Sequence, residues 1–328
     1  MSIPVAYLGI ILIWSTTPLA IQWSTQGAGF AFAVFVRMLI GVIVASLLVL
    51  VWRIRFPLHE RARRAYLVGG LGVFVAMALT YWGARYVHSG LISVLFGLSP
   101  LMAGILAAIW LGERALTPSK LSGMVLGALG LATIFVHGDS LGSEQALAGL
   151  VALLVAVFVY SGSLVWLKHI GDDSPPLATT LGSLAVSLPL FGLLWLLTDG
   201  QLPAMVPPRS GAAMVYLGIF GSVIGFSLYY YVIKHLDASK VSLITLITPV
   251  IALLLGNWLN GEVVGLRLWL GTGSILLGLG VHQWEMLSGL LRSTGKKYKN
   301  HNDTEVLEPG AFGDSRLPSI LPTESEVH

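Results

Sequence analysis

Ten apolar stretches, each about the length needed to cross a hydrocarbon core as a helix, follow one another through the first 291 residues of this 328-residue chain. They fall at 5–22, 30–52, 65–86, 90–111, 121–137, 146–167, 176–198, 211–233, 239–259 and 266–287. The connections between them are too short to build a polar surface. A soluble domain carries about 25% charged residues, whereas this chain has 11% charged and 55% hydrophobic residues and a mean hydropathy of +0.81. Backbone groups in lipid must bond internally, and the alternation of a transmembrane barrel is absent, so the expected fold is an all-α polytopic bundle of ten transmembrane helices. The first stretch follows Met1-Ser2-Ile3-Pro4 without a basic cluster and reads as a span rather than a cleaved leader.

Lys and Arg positions set the expected orientation. With the N-terminus inside, fifteen basic residues, among them Arg53, Arg55, Arg61, Arg63, Arg64, Arg114, Lys120 and Lys168, fall on the inner side, against Arg85, Arg209 and Arg267 outside. Both termini are then cytoplasmic. The net charge of +3 thus reflects topology, and no nucleic-acid partner is expected. Residues 292–328 carry five basic and six acidic residues with almost no aromatics, the composition of a disordered cytoplasmic tail whose basic start can meet anionic membrane lipid.

Sliding the chain against itself gives one informative offset, 149 residues. It aligns Tyr81 with Tyr230, Ser93 with Ser242, Pro100 with Pro249, Gly112 with Gly261 and Glu113 with Glu262. A Pro and a Glu thirteen residues apart in both copies mark a duplication of about five spans, 1–138 and 139–291. Five is odd, so the second copy enters the membrane from the opposite side, and the halves form an inverted repeat. That architecture places a solute site near the midplane between the halves.

These features resemble the drug/metabolite transporter superfamily in its EamA-type branch. The resemblance rests on Trp14-Ser15-Thr16-Thr17-Pro18, Phe35-Val36-Arg37 and the paired Pro100…Gly112-Glu113 and Pro249…Gly261-Glu262, and it covers 4–284. It implies a ten-helix carrier of bacterial inner membranes, usually an exporter of amino acids, other metabolites or drugs. The second half departs from the pattern: Tyr160-Ser161 stands near the Trp14-Ser15 position, and no Arg takes the place of Arg37.

Arg37 is the one charged residue well inside a span, roughly 10 Å along its helix at 1.5 Å per residue. Intramembrane charges default to functional candidates, so Arg37 is a candidate solute contact, with snorkelling or structural pairing as the competing reading. Trp14, Ser15, Tyr81, Trp82, Tyr160 and Tyr230 are the other candidate solute contacts, as aromatic or hydroxyl-bearing walls; some aromatics can instead belong to the interfacial belt. Pro100 and Pro249 are expected to kink their spans. Glu113 and Glu262, at span ends, are expected to accept from the unsatisfied N–H groups of the next helix rather than to relay protons. Gly123xxxGly127 and Gly221xxxGly225 permit close helix contact.

The sequence lacks GxSxG, HExxH, Walker-type and dinucleotide motifs, contains no Cys, and scatters its 8 His. No catalytic residue, metal or cofactor is expected. A transporter of a small-molecule solute is the leading reading, with a channel or membrane scaffold and, last, an intramembrane enzyme as alternatives. Self-association into a homo-oligomer is left open.

Overall fold

A computed structural model describes residues 2–112, 117–136, 144–198, 200–236, 238–282 and 284. All regular structure among them is helical: α1 (Ile3–Thr25), α2 (Phe30–Val51), α3 (Glu60–Gly83), α4 (Ser89–Phe96), α5 (Ser99–Leu111), α6 (Pro118–Val136), α7 (Glu144–Ile170), α8 (Pro176–Thr198), α9 (Pro208–Tyr216), a π-helical segment (Leu217–Ile224), α10 (Gly225–His235), α11 (Ala238–Asn260) and α12 (Leu266–His282). Eight helical stretches are long and apolar enough to span a membrane, counting α4 with α5 and α9 with the π segment and the start of α10. α6 contributes a shorter apolar helix, and α12 has 17 residues.

The helices turn apolar side chains outward as well as inward, as lipid requires. On α2, Leu39, Ile43, Leu47 and Leu50 are exposed at spacings of three and four, whereas Arg37, Met38, Gly41 and Ala45 are buried. The buried side of several helices is built from small residues. Gly69, Gly70 and Gly72 of α3 lie against Ser183 and Val186 of α8 and Ser163 of α7, so closely that a Cβ on any of the three would overlap them.

Helix packing obeys the repeat. Exchanging α1–α6 for α7–α12 maps the α3–α7 contact onto α1 with α9 and α10, α3–α8 onto α2 with the π segment, and α5–α7 onto α1–α11. The contacts α2–α8, α4–α11 and α6–α12 map onto themselves and lie on the pseudo-two-fold axis. The α6–α12 crossing is a backbone-to-backbone zipper. Gly123 faces Gly278, and Gly130 faces Gly271, where an added Cβ would come within 2.6 Å of the Gly271 carbonyl oxygen. Ser274 Oγ donates to the Leu126 carbonyl at 2.9 Å and Ser119 Oγ to that of Val281 at 2.6 Å. Gly127 of the anticipated Gly-xxx-Gly pair meets Leu101 and Leu98 as well as the Gly278 side of this crossing.

The paired proline motifs fold differently in the two halves. Pro249 lies inside α11, within an unbroken helix. At Pro100 the expected kink is replaced by a break: α4 ends at Phe96, Leu98 bonds back only to Leu95, and Pro100 sits in the first turn of α5, where its missing N–H costs nothing. The Gly that closes each motif does the same work in both halves. Gly112 and Gly261 adopt φ of +63° and +64° just beyond α5 and α11, the left-handed conformation that ends a helix.

Candidate functional site

Two buried polar clusters join the halves. The deeper one centres on Arg37, only 5% exposed. The guanidinium does not reach for an interface. Its Nε donates to Ser222 Oγ at 3.0 Å and its Nη1 to the Tyr81 hydroxyl at 3.4 Å, with the guanidinium carbon 5.9 Å from the Tyr81 ring centre. Close approach of α2 to the π segment makes this possible: a Cβ at Gly218 would overlap Ile40, and one at Gly221 would lie 3.4 Å from Arg37 Nη2 and 3.8 Å from Thr17 Oγ1. Single π-helical turns widen the helix and concentrate at functional sites. Here the widened turn carries Gly221 and Ser222 to the Arg37 side chain.

The second cluster lies at the end of the bundle opposite the Arg-rich loops. Asn260 Oδ1 accepts from Trp23 Nε1 at 3.1 Å, and Asn260 Nδ2 donates to Gln22 Oε1 at 3.2 Å and Glu262 Oε1 at 2.9 Å. Gln22 Nε2 donates in turn to the Val87 carbonyl at 2.5 Å. The Arg209 guanidinium lies 3.8 Å above the Trp23 ring, and Ser210 Oγ donates to the Ser24 carbonyl at 2.6 Å. Glu262, 8% exposed, accepts from both the backbone N–H and the hydroxyl of Ser89, each at 3.0 Å. The expected partner was the helix that follows Glu262. The carboxylate instead reaches back to the first turn of α4, in the other half, and Gly256 leaves it room, since a Cβ there would come within 2.5 Å of Oε2.

Glu262→Ala would strand the buried Ser89 N–H and one Asn260 donor, at about 1–3 kcal/mol. Glu262→Gln keeps an acceptor oxygen for Ser89. Thermal unfolding of the purified protein is therefore expected to fall further for Glu262→Ala than for Glu262→Gln. Equal loss would remove the capping role.

The other sequence candidates are dispersed. Trp14 stacks at 4.8 Å, tilted, on Tyr229 of α10, with Gly225 beside its indole nitrogen. Ser15 is wholly buried, and its hydroxyl has no hydrogen-bond partner among the described residues. Tyr81 is fully buried and held by Arg37, not set on an open wall. Trp82 points to the rim beside Tyr86 and Arg85. Tyr160 lies 6.0 Å from Phe96 at the α4–α5 break, where the neighbouring Ser161 hydroxyl donates to the Ser99 carbonyl. Tyr230 belongs to α10, but its side chain, like all of Glu113, is outside the described residues. Sequence reasoning missed Ser222, Gln22, Trp23, Ser89 and Asn260. Only Gln22 and Asn260, amides at the ends of apolar spans, gave a signal that could have been read.

A cavity of about 70 Å³ lies at the Arg-rich end, lined by Trp110, Leu111, Val165, Trp166 and His169. Solute pockets run to several hundred Å³, well above this volume. Among the described residues no group of three His, Asp or Glu is placed to hold a metal.

Comparison with known proteins gives the family. The EamA-like transporter family matches residues 2–136 and again 147–282. The chain belongs to this family. An uncharacterized transporter of Archaeoglobus fulgidus is 30% identical over 66% of this chain and 75% of its own length. A probable terminal-alkyne amino-acid exporter of Streptantibioticus cattleyicolor is 28% identical over 77% of this chain and 84% of its own. A crystal structure at 20% identity superposes with a TM-score of 0.60, covering 85% of this chain and 96% of that one, and shares the fold. As an EamA-like protein the chain is a multi-pass transporter of the drug/metabolite class, and the family pattern occurs in it twice.

Proposed function

We propose that this EamA-like protein is a secondary transporter that exports a small organic solute, an amino acid, related metabolite or drug, across a bacterial inner membrane by alternating access. The observation that carries the reading is the exchange of helix contacts between the halves, since two packings related by a pseudo-two-fold axis are what rocking about a fixed site requires. The Arg37 cluster marks the site, and the Gln22–Asn260–Glu262 cluster closes one access route. The name of the Streptantibioticus relative favours export of an amino acid. Residues 1–138 and 139–291 are the two moving halves.

Comparative release of metabolites from cells overproducing or lacking the protein tests the reading. A solute that appears outside faster on overproduction supports it; identical release profiles across amino acids and related metabolites count against it. Orientation has its own test, because the chain contains no cysteine and any introduced one is unique. A cysteine at Arg63 is expected to react with an impermeant maleimide only in opened cells, and one at Arg209 in intact cells. The reverse pattern would overturn the cytoplasmic placement of both termini.

A further inference from the structure

Arg37 is a buried cation without a counter-ion among the described residues. Its hydrogen-bond acceptors, the Ser222 and Tyr81 hydroxyls, are neutral, and the ion pairs His59–Asp172 and Arg64–Glu60 lie away from it, at the Arg-rich end. No carboxylate elsewhere on the spans can serve: within the helices Asp and Glu occur only as the first residues of α3 and α7, Glu60 and Glu144. Guanidinium has five N–H donors, and two are engaged. The Nη2 edge faces the place where Gly221 has no side chain, with Thr17 Oγ1 across it.

The repeat supplies an internal control on whether the fold itself needs this charge. α8 is the counterpart of α2, and its stretch Ser183 to Val186 packs on Gly69 and Gly70 of α3 much as Arg37 and Ile40 pack on Gly218 and Gly221 of the π segment. That stretch, Ser-Leu-Ala-Val, is uncharged, as is all of α8. The counterpart crossing therefore forms without a cation, so helix packing of this kind does not by itself call for the Arg37 charge. An unpaired buried charge is costly, and the cost is offset when an anion arrives.

We propose that Arg37 is the docking post for the carboxylate of a solute that carries a single anionic group, received by the free Nη edge between Thr17 and Gly221. This specifies the substrate class of the transporter reading above and rests on it. One guanidinium balances one carboxylate; a phosphate monoester, with a charge of about −1.5 to −2 near neutrality, would leave charge unmatched. Planar, bidentate acceptance of a carboxylate is also the geometry for which Arg is suited and Lys is not.

The full-length protein in lipid nanodiscs is unfolded thermally, at constant ionic strength, in hexanoate, benzoate and L-leucine and in the matched amides hexanamide, benzamide and L-leucinamide. At least one carboxylate is expected to raise the midpoint saturably while its amide does not. Arg37→Gln should raise the half-maximal concentration about tenfold to a hundredfold, the scale of one charge-assisted contact, and Arg37→Lys by less. If Arg37→Gln does not fold, Thr17→Asp decides: a built-in carboxylate beside Nη2 should raise the midpoint and erase the response to added carboxylate. No carboxylate response in the parent, or a response that survives Arg37→Gln or Thr17→Asp, overturns the proposal. Counterflow of the same labelled solutes in proteoliposomes separates the two readings. Counterflow indifferent to Arg37 sinks the carboxylate post and keeps the transporter; Arg37-dependent binding without counterflow keeps the post and sinks its role in transport.

Discussion

Gly123→Leu is expected to reduce the folded, monodisperse fraction of the purified protein by tenfold or more. Gly123 meets the carbonyl oxygen of Gly278 across the α6–α12 crossing, and at Gly278 an added Cβ would come within 2.5 Å of the Gly123 carbonyl. Backbone atoms cannot swing aside as a side-chain end can, so the helices must separate. Separation also weakens the Ser274–Leu126 and Ser119–Val281 hydrogen bonds, each worth on the order of 0.6 kcal/mol between membrane helices. Added to an overpacking cost of about 1–3 kcal/mol, the loss reaches about 2–4 kcal/mol, more than a tenfold change in the folded ratio. Gly273→Leu is the control. It lies on the same helix α12, with no atom within 4 Å of its would-be Cβ, and should fold as the parent does. Comparable loss in both variants would mean that leucine harms α12 for reasons unrelated to the zipper.

That zipper was legible in outline, since Gly123xxxGly127 stands out in an apolar run, but its partner glycines, Gly271 and Gly278, are seven apart and match no short motif. Helix positions were legible because lipid allows so few ways to satisfy a backbone. Among the described residues the apolar stretches read from the sequence fall on helices, and eight helical stretches are of spanning length. The different fates of the two prolines had a local signal that the motif match concealed. Gly97 precedes Pro100, and a Cβ at Gly97 would come within 2.9 Å of the Val94 carbonyl; at the matching place before Pro249 stands Leu246, and the helix runs on. Glu262 shows a second limit. Its position at a span end could be read, but not that it caps α4 from 173 residues away, because an inverted repeat brings the ends of different halves together. Arg37 was conspicuous by its depth; Ser222, which it binds, was not, because no sequence signature marks a π-helical turn.

Asn260→Ala is expected to open the closed end of the bundle. Asn260 makes three side-chain hydrogen bonds: those with Trp23 and Gln22 tie α1 of one half to the end of α11 in the other, and the one with Glu262 is local to the end of α11. At about 1 kcal/mol net for each, loss of the two cross-half bonds removes about 2 kcal/mol from the closed arrangement. Since every 1.4 kcal/mol is tenfold, the open population should rise roughly thirtyfold. A cysteine placed at Ser93 reports it. Ser93 is 8% exposed, one turn deeper along α4 than Ser89, and is nearly isosteric with the replacement. In intact cells Ser93→Cys alone should react slowly with an impermeant maleimide, and adding Asn260→Ala should speed labelling by one to two orders of magnitude. The effect discriminates gating from simple loosening of the fold: the thermal midpoint should fall modestly, and a cysteine at Ala107, buried near the Arg-rich end of α5, should gain no reactivity from outside. If labelling at Ser93 is unchanged, the Gln22–Asn260–Glu262 cluster is a static brace, and access to Arg37 from that side must be controlled elsewhere.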